Sequence, residues 1–106
     1  MITIKLNDME CTLLTFNKNT YFNDNSASGT ITCEVEVVDA DDIQTLGESP
    51  ITSLIIEKND EVIYRMTKLN AKLNSINEYL MGETMHTTLN IDIIPGKVQI
   101  QKTKNK

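Results

Sequence analysis

Ile2, Ile4 and Leu6 alternate with Thr3 and Lys5, and after the turn residues Asn7 and Asp8 a second apolar-rich run follows from Cys11 to Phe16. Alternation with period two puts one row of side chains on each face of an extended chain, so the pattern predicts two strands joined as a hairpin. The clearest case is Ile31, Cys33, Val35 and Val37, interleaved with Thr32, Glu34 and Glu36, a strand with one face toward a core and one toward water. Ile51 to Glu57 and Glu61 to Met66 predict another hairpin across Lys58-Asn59-Asp60. Asn17 to Gly29 is polar, with Tyr21 and Phe22 at its middle, and reads as a long loop. Aromatic residues on such a loop are candidates for a binding anchor, and packing back onto the core is the competing expectation.

Two segments break the alternation. In Val38-Asp39-Ala40-Asp41-Asp42-Ile43, Asp39 can cap a short helix and Val38 can pack against Ile43, so a helical turn is predicted near 39–46. In the second, Met66, Leu69, Leu73, Ile76 and Leu80 recur at the three-and-four spacing of one helical face, so residues 66–81 admit a helix. Asn70, Asn74 and Asn77 would be poor interior helix residues. Folding about Gly82-Glu83 instead pairs Leu80 with Met85 and Ile76 with Leu89, and places Met85, Leu89, Ile91 and Ile93 on one side of a final strand. The strand reading is preferred for Lys72 to Leu80. The expected fold is mainly β, a small antiparallel barrel or sandwich in one domain over residues 1–96.

Charge divides the chain unevenly. All fifteen acidic residues fall within 1–96, whereas Lys97, Lys102, Lys104 and Lys106 follow Pro95-Gly96 with no acid among them. Residues 97–106 read as a basic, disordered tail. An acidic body repels a phosphate backbone, so direct nucleic-acid binding is not expected. The N-terminal alternation lacks the basic patch and apolar stretch of a signal peptide, and no apolar run approaches the ~18 residues of a membrane span. A soluble cytoplasmic protein is expected, with no membrane contact.

Candidate chemistry is sparse. Cys11 and Cys33 lack metal-site or redox spacing and are expected to be free thiols. Asp39, Asp41 and Asp42 lie close together, but a calcium loop starting at Asp39 would need a glycine at Gln44 and a glutamate at Pro50. Helix capping accounts for these acids instead. His86, the only histidine, falls on the polar face of its strand with no nucleophile or ligand pattern beside it. The expectation is a protein without enzyme activity, metal or cofactor.

An acidic strand from Gly29 to Val38 is followed by a loop to Gly47-Glu48, a strand pair around Ile51 to Tyr64, and Leu69-Asn70-Ala71-Lys72-Leu73-Asn74-Ser75-Ile76-Asn77-Glu78. Over residues 25–94 this order resembles the small split β-barrels of tailed-bacteriophage tail, hub and baseplate proteins. The resemblance implies a structural or tail-assembly role in the virion or the host cytoplasm, with a protein partner or self-association into a homo-oligomer. It carries no functional residue with it. From position alone, the candidate contact residues are Tyr21 and Phe22 in the loop, and Glu34, Glu36, Asp39, Asp41 and Asp42 in the acidic stretch. A second class is a small acidic inhibitor that occupies a host nucleic-acid-binding protein. A barrel holding one small ligand is a third.

Overall fold

The structure is a computed structural model that describes residues 1–23, 26–36, 38–96 and 99–101. Its strands are β1 (Ile2–Leu6), β2 (Met9–Asn23), β3 (Ser26–Glu36), β4 (Leu54–Lys58), β5 (Glu61–Thr67), β6 (Ala71–Met81), β7 (Thr84–Gly96) and β8 (Gln99–Gln101), with one helix, α1 (Ala40–Glu48). All pairings are antiparallel, in the order β6-β7-β3-β2-β1-β4-β5-β8. The fold is mainly β, as the alternation predicts, with a single short helix among the described residues.

The sheet coils, and β2 is its corner. Met9 to Thr12 pair with β1, and from Leu13 onward the strand pairs with β3. The change of partner coincides with a bulge between Leu13 and Thr15, and a bulge bends a strand and increases its twist. The two halves of the sheet therefore turn their apolar faces toward each other. Phe16 of β2 meets Tyr64 of β5 across this space, with ring centroids 5.8 Å apart. At one corner Ile51 bridges to Ala71, with reciprocal backbone hydrogen bonds of 2.8 and 3.2 Å, and partly closes the barrel.

Inside lie Ile4 and Leu6 of β1, Ile31, Cys33 and Val35 of β3, Leu54 and Ile56 of β4, Met66 of β5, and Leu89, Ile91 and Ile93 of β7. Each fully buried aliphatic contributes about 1.5–3 kcal/mol of transfer free energy. The helix covers one end of this core with Leu46 buried and Ile43 packed against it. Asp39 caps it, its Oδ1 accepting the Asp41 N–H at 3.0 Å, and the buried Val38 precedes the cap. Glu48 is the last helical residue, two beyond the expected turn.

Four expectations need correction or completion. Asn17 to Gly29 is not a loop: Asn17 to Asn23 pair with Ser26 to Thr32 as a regular ladder, while residues 24 and 25 lie outside the described residues. Polar composition hides this strand because the arm shows water both faces for much of its length. Residues 66–81 are not helical, since β6 pairs with β7 from Ala71 to Met81 in the register set by Leu80 with Met85 and Ile76 with Leu89. His86, expected on the polar face of its strand, is half-buried there, with the Tyr79 ring edge-on to it at 5.6 Å. Within the segment expected to be a tail, Gln99–Gln101 pair with Arg65–Thr67 at the outer edge of β5. The edge of β5 offers unpaired backbone groups that this short strand satisfies. Residues 97, 98 and 102–106, like Val37, fall outside the described residues.

Candidate functional site

The sequence-derived contact residues separate into two regions. Tyr21 and Phe22 are on the outer half of β2, 55% and 84% exposed, so they do not fold back onto the core. The ladder opposite, Tyr21 to Ser28 and Phe22 to Ala27, holds them on a paired strand, which limits the backbone entropy lost when an anchor binds. Thr15, the pairing partner of Glu34, is six residues back along β2, roughly 20 Å at strand rise. The aromatic arm and the acidic stretch are thus different surfaces.

The acidic surface gathers at the end of the sheet where β3 runs into α1. Glu34 and Glu36 point to the outer face of β3, alternating with the buried Cys33 and Val35. Glu36, Asp39, Asp41 and Asp42 are exposed. Asp41 and Asp42 occupy the first turn of α1, where negative charge complements the helix dipole. Among the described residues no group of three or more His, Cys, Asp or Glu side chains is arranged to hold a metal ion.

Glu34 is the organised member of this set. Tyr79 Oη donates to its Oε2, and Thr15 Oγ1 donates to its Oε1 at 3.0 Å, linking β6, β3 and β2 across the outer face. The Tyr79 and Thr15 bonds hold the Glu34 carboxyl below the usual carboxylate range. The same bond to Glu34 pushes the Tyr79 phenol up. A neighbouring row continues the pattern, Thr32 Oγ1 donating to Asn90 Oδ1 at 3.5 Å and Asn90 Nδ2 to Ser75 Oγ at 3.2 Å. These cross-strand pairs stiffen the face that carries the acids.

Sequence reasoning missed a third feature. The β6–β7 hairpin turns at Gly82, φ +64°, and its end exposes Leu80 (65%), Met81 (57%) and Met85 (41%). Leu80 and Met85 are directly paired and continue the core-facing row past Thr87 and Glu78. The available signal was an apolar Leu-Met pair beside a Gly-Glu turn, a place where polar residues are usual. Because Glu36 pairs with His86, and His86 with Tyr79, this apolar end adjoins the acidic surface.

Clefts are small. One of about 270 Å³, between the β1–β2 turn and α1, is lined by Leu6, Asp8, Met9, Asp42, Thr45 and Leu46. That is less than the ~300–1,000 Å³ of typical small-molecule sites. Among the described residues no helix is long and apolar enough to cross a membrane. No protein-family model matches the chain, and no match is found among curated proteins.

Proposed function

We propose that this protein is a non-catalytic protein-binding module that serves as a structural or assembly component of a tailed-bacteriophage virion. The observation that carries the binding part is the β2–β3 arm, which holds Tyr21 and Phe22 in solvent on a paired strand. Large exposed aromatics on a rigid element are the residues that interface hot spots favour. The virion part rests on the resemblance of the element order read from residues 25–94 of the sequence to the small split β-barrels of tailed-bacteriophage tail, hub and baseplate proteins.

The test is the mass of the full chain in solution by light scattering, for the wild type and for Tyr21→Thr with Phe22→Thr. Threonine keeps strand propensity while removing the aromatic surface. A defined oligomer that the double variant dissociates, with its melting temperature unchanged, is the expected result. A wild type that stays monomeric at every concentration counts against self-assembly.

The segment from Glu36 to Asp42, with four acids and no base, favours a second reading, an inhibitor of a basic nucleic-acid-binding protein. It requires salt-sensitive binding to such a protein that falls when Glu34, Glu36, Asp39, Asp41 and Asp42 are neutralised together.

A further inference from the structure

Two sheet edges are open to a further strand. On one side β8 is three residues long, and a short edge is a poor template. On the other, β6 runs for eleven residues. Its outer edge is occupied only near its start, where Ala71 bridges to Ile51 and Gly47 of α1 approaches Leu73. From Asn74 to Met81 no other strand pairs with that edge among the described residues. Two of the usual protections, lysine and proline, are missing from this stretch, which has a bulge at its start and Glu78 as its one charge.

Side chains beside this edge have a definite pattern. The bulge between Leu73 and Ser75 shifts the alternation, so Ile76, Glu78 and Leu80 share the core-side face, with Met85 directly across from Leu80. Ile76 is half-buried and Leu80 is exposed. An added strand would meet on that face an apolar, an acidic and an apolar position in turn, two residues apart. The surrounding charge is mostly acidic: residues 26–48 and 73–94 carry Glu34, Glu36, Asp39, Asp41, Asp42, Glu48, Glu78, Glu83 and Asp92 and no lysine or arginine, and Lys72, two residues before Asn74, is the nearest base along the strand.

We propose that the β6 edge from Asn74 to Met81 takes up an extended cationic segment of a partner protein by strand addition. The segment has an apolar residue, a lysine or arginine, and an apolar residue at positions i, i+2 and i+4. Backbone hydrogen bonds along β6 provide the mode of binding, and the alternating side chains provide the selection. The basic residue lies opposite Glu78, with Glu83 adding to the field, and the apolar residues cover Ile76, Leu80 and Met85. This inference rests on the protein-binding reading above and names the class of partner for a surface away from the Tyr21–Phe22 arm.

The probe is a fluorescently labelled synthetic peptide of about nine residues alternating threonine with valine, lysine and valine, titrated into the full chain. Hydrogen exchange follows the amides of Asn74 to Met81. Saturable binding with protection of those amides is expected, together with a loss of about tenfold or more in affinity for Glu78→Lys with Glu83→Lys. Glu78→Gln with Glu83→Gln is the milder substitute should the reversal disturb folding. A peptide with glutamate in place of lysine should prefer the reversed variant. Equal binding of both peptides, or protection elsewhere, overturns the proposal. So does occupation of the edge by the chain's own lysine-rich residues 97–106, seen as self-association that the Glu78 and Glu83 changes abolish and the peptide does not compete. Failure of peptide binding while Tyr21 and Phe22 still govern assembly removes this inference and leaves the proposed function in place.

Discussion

Asn7 Oδ1 accepts two hydrogen bonds from Thr52, one from the backbone N–H at 2.9 Å and one from the hydroxyl at 3.2 Å. Asn7 Nδ2 also donates to the Pro50 carbonyl at 3.0 Å, and its backbone N–H to the Ser53 carbonyl at 3.1 Å. One turn residue of the first hairpin therefore fastens the segment that leads from α1 into β4. That same segment bears Ile51, whose bridge to Ala71 partly closes the barrel. Asn7 sits at φ 54°, a left-handed conformation that asparagine tolerates and alanine resists.

Asn7→Ala is expected to lower stability by about 2–3 kcal/mol, combining lost hydrogen bonds with left-handed strain. Asn7→Gly should cost about 1 kcal/mol less than the alanine change, since glycine accepts the same backbone angle. Urea unfolding measures both. Equal losses for the two variants would show that backbone strain plays no part.

Gly29 tests whether the arm needs its close backbone approach. A Cβ at this position would collide with the Asn19 carbonyl oxygen, and that oxygen belongs to backbone already fixed in the ladder. Gly29 also stands beside the bulge between β3 and β7, where the two strands change register. Gly29→Ala is expected to cost about 1–3 kcal/mol. Amide exchange should quicken first at Asn17 to Tyr21, with the amides of Ile4, Leu6 and Ile56 following only as global stability falls. Uniform acceleration across the molecule would contradict local loosening of the arm.

How much of this was legible depends on whether one face of a segment is buried. Ile31, Cys33 and Val35 announce their strand because water lies on one side only, and all three are fully buried. The β4–β5 turn was legible too, since Asn59 and Asp60 both adopt positive φ, as the tight hairpin turn requires. On β6 the bulge separates Leu73 from Ile76 by three residues while both stay on the core side, and Lys68 at φ 55° breaks the chain before Leu69. A bulged strand thus imitates helical spacing. The outer half of β2 lacks a buried face and so lacks a pattern. The Glu34–Tyr79 contact joins residues 45 apart and depends on register, which composition does not reveal.

The two thiols give a pH dependence of known sign. Burial pushes Cys33 up to about 12, with Cys11 adding to the shift, and burial followed by the charges of Asp42 and Glu10 pushes Cys11 up to about 11, both from a usual 9.0. The unfolded chain loses these protons first as pH rises. The contribution of the thiols to stability is therefore complete below pH 9.0 and is lost as pH rises through about 11 to 12. Cys33→Ala should start less stable, by about 1–2 kcal/mol for the cavity, yet decline less steeply above pH 9.0, by up to about 1 kcal/mol per pH unit. Urea midpoints of the wild type and variant across this range, compared as differences, cancel the titration of tyrosines and lysines. Parallel declines would mean that Cys33 titrates alike in the folded and the unfolded chain.

Thr87 lies between Met85 and Leu89 in the core-facing row of β7. It is fully buried, paired with Val35 on one side and Glu78 on the other, and its Oγ1 has no hydrogen-bond partner among the described residues. An unsatisfied buried hydroxyl costs about 1–3 kcal/mol of desolvation, whereas a methyl group of similar size costs none and gains contacts. Thr87→Val is therefore expected to stabilise the protein by about 1–2 kcal/mol, raising the urea midpoint with the slope unchanged. Thr87→Ser keeps the hydroxyl and removes the methyl, so it should destabilise by about 1 kcal/mol. A valine variant less stable than the wild type would show that the hydroxyl is satisfied in solution, and the order valine above threonine above serine would show that it is not.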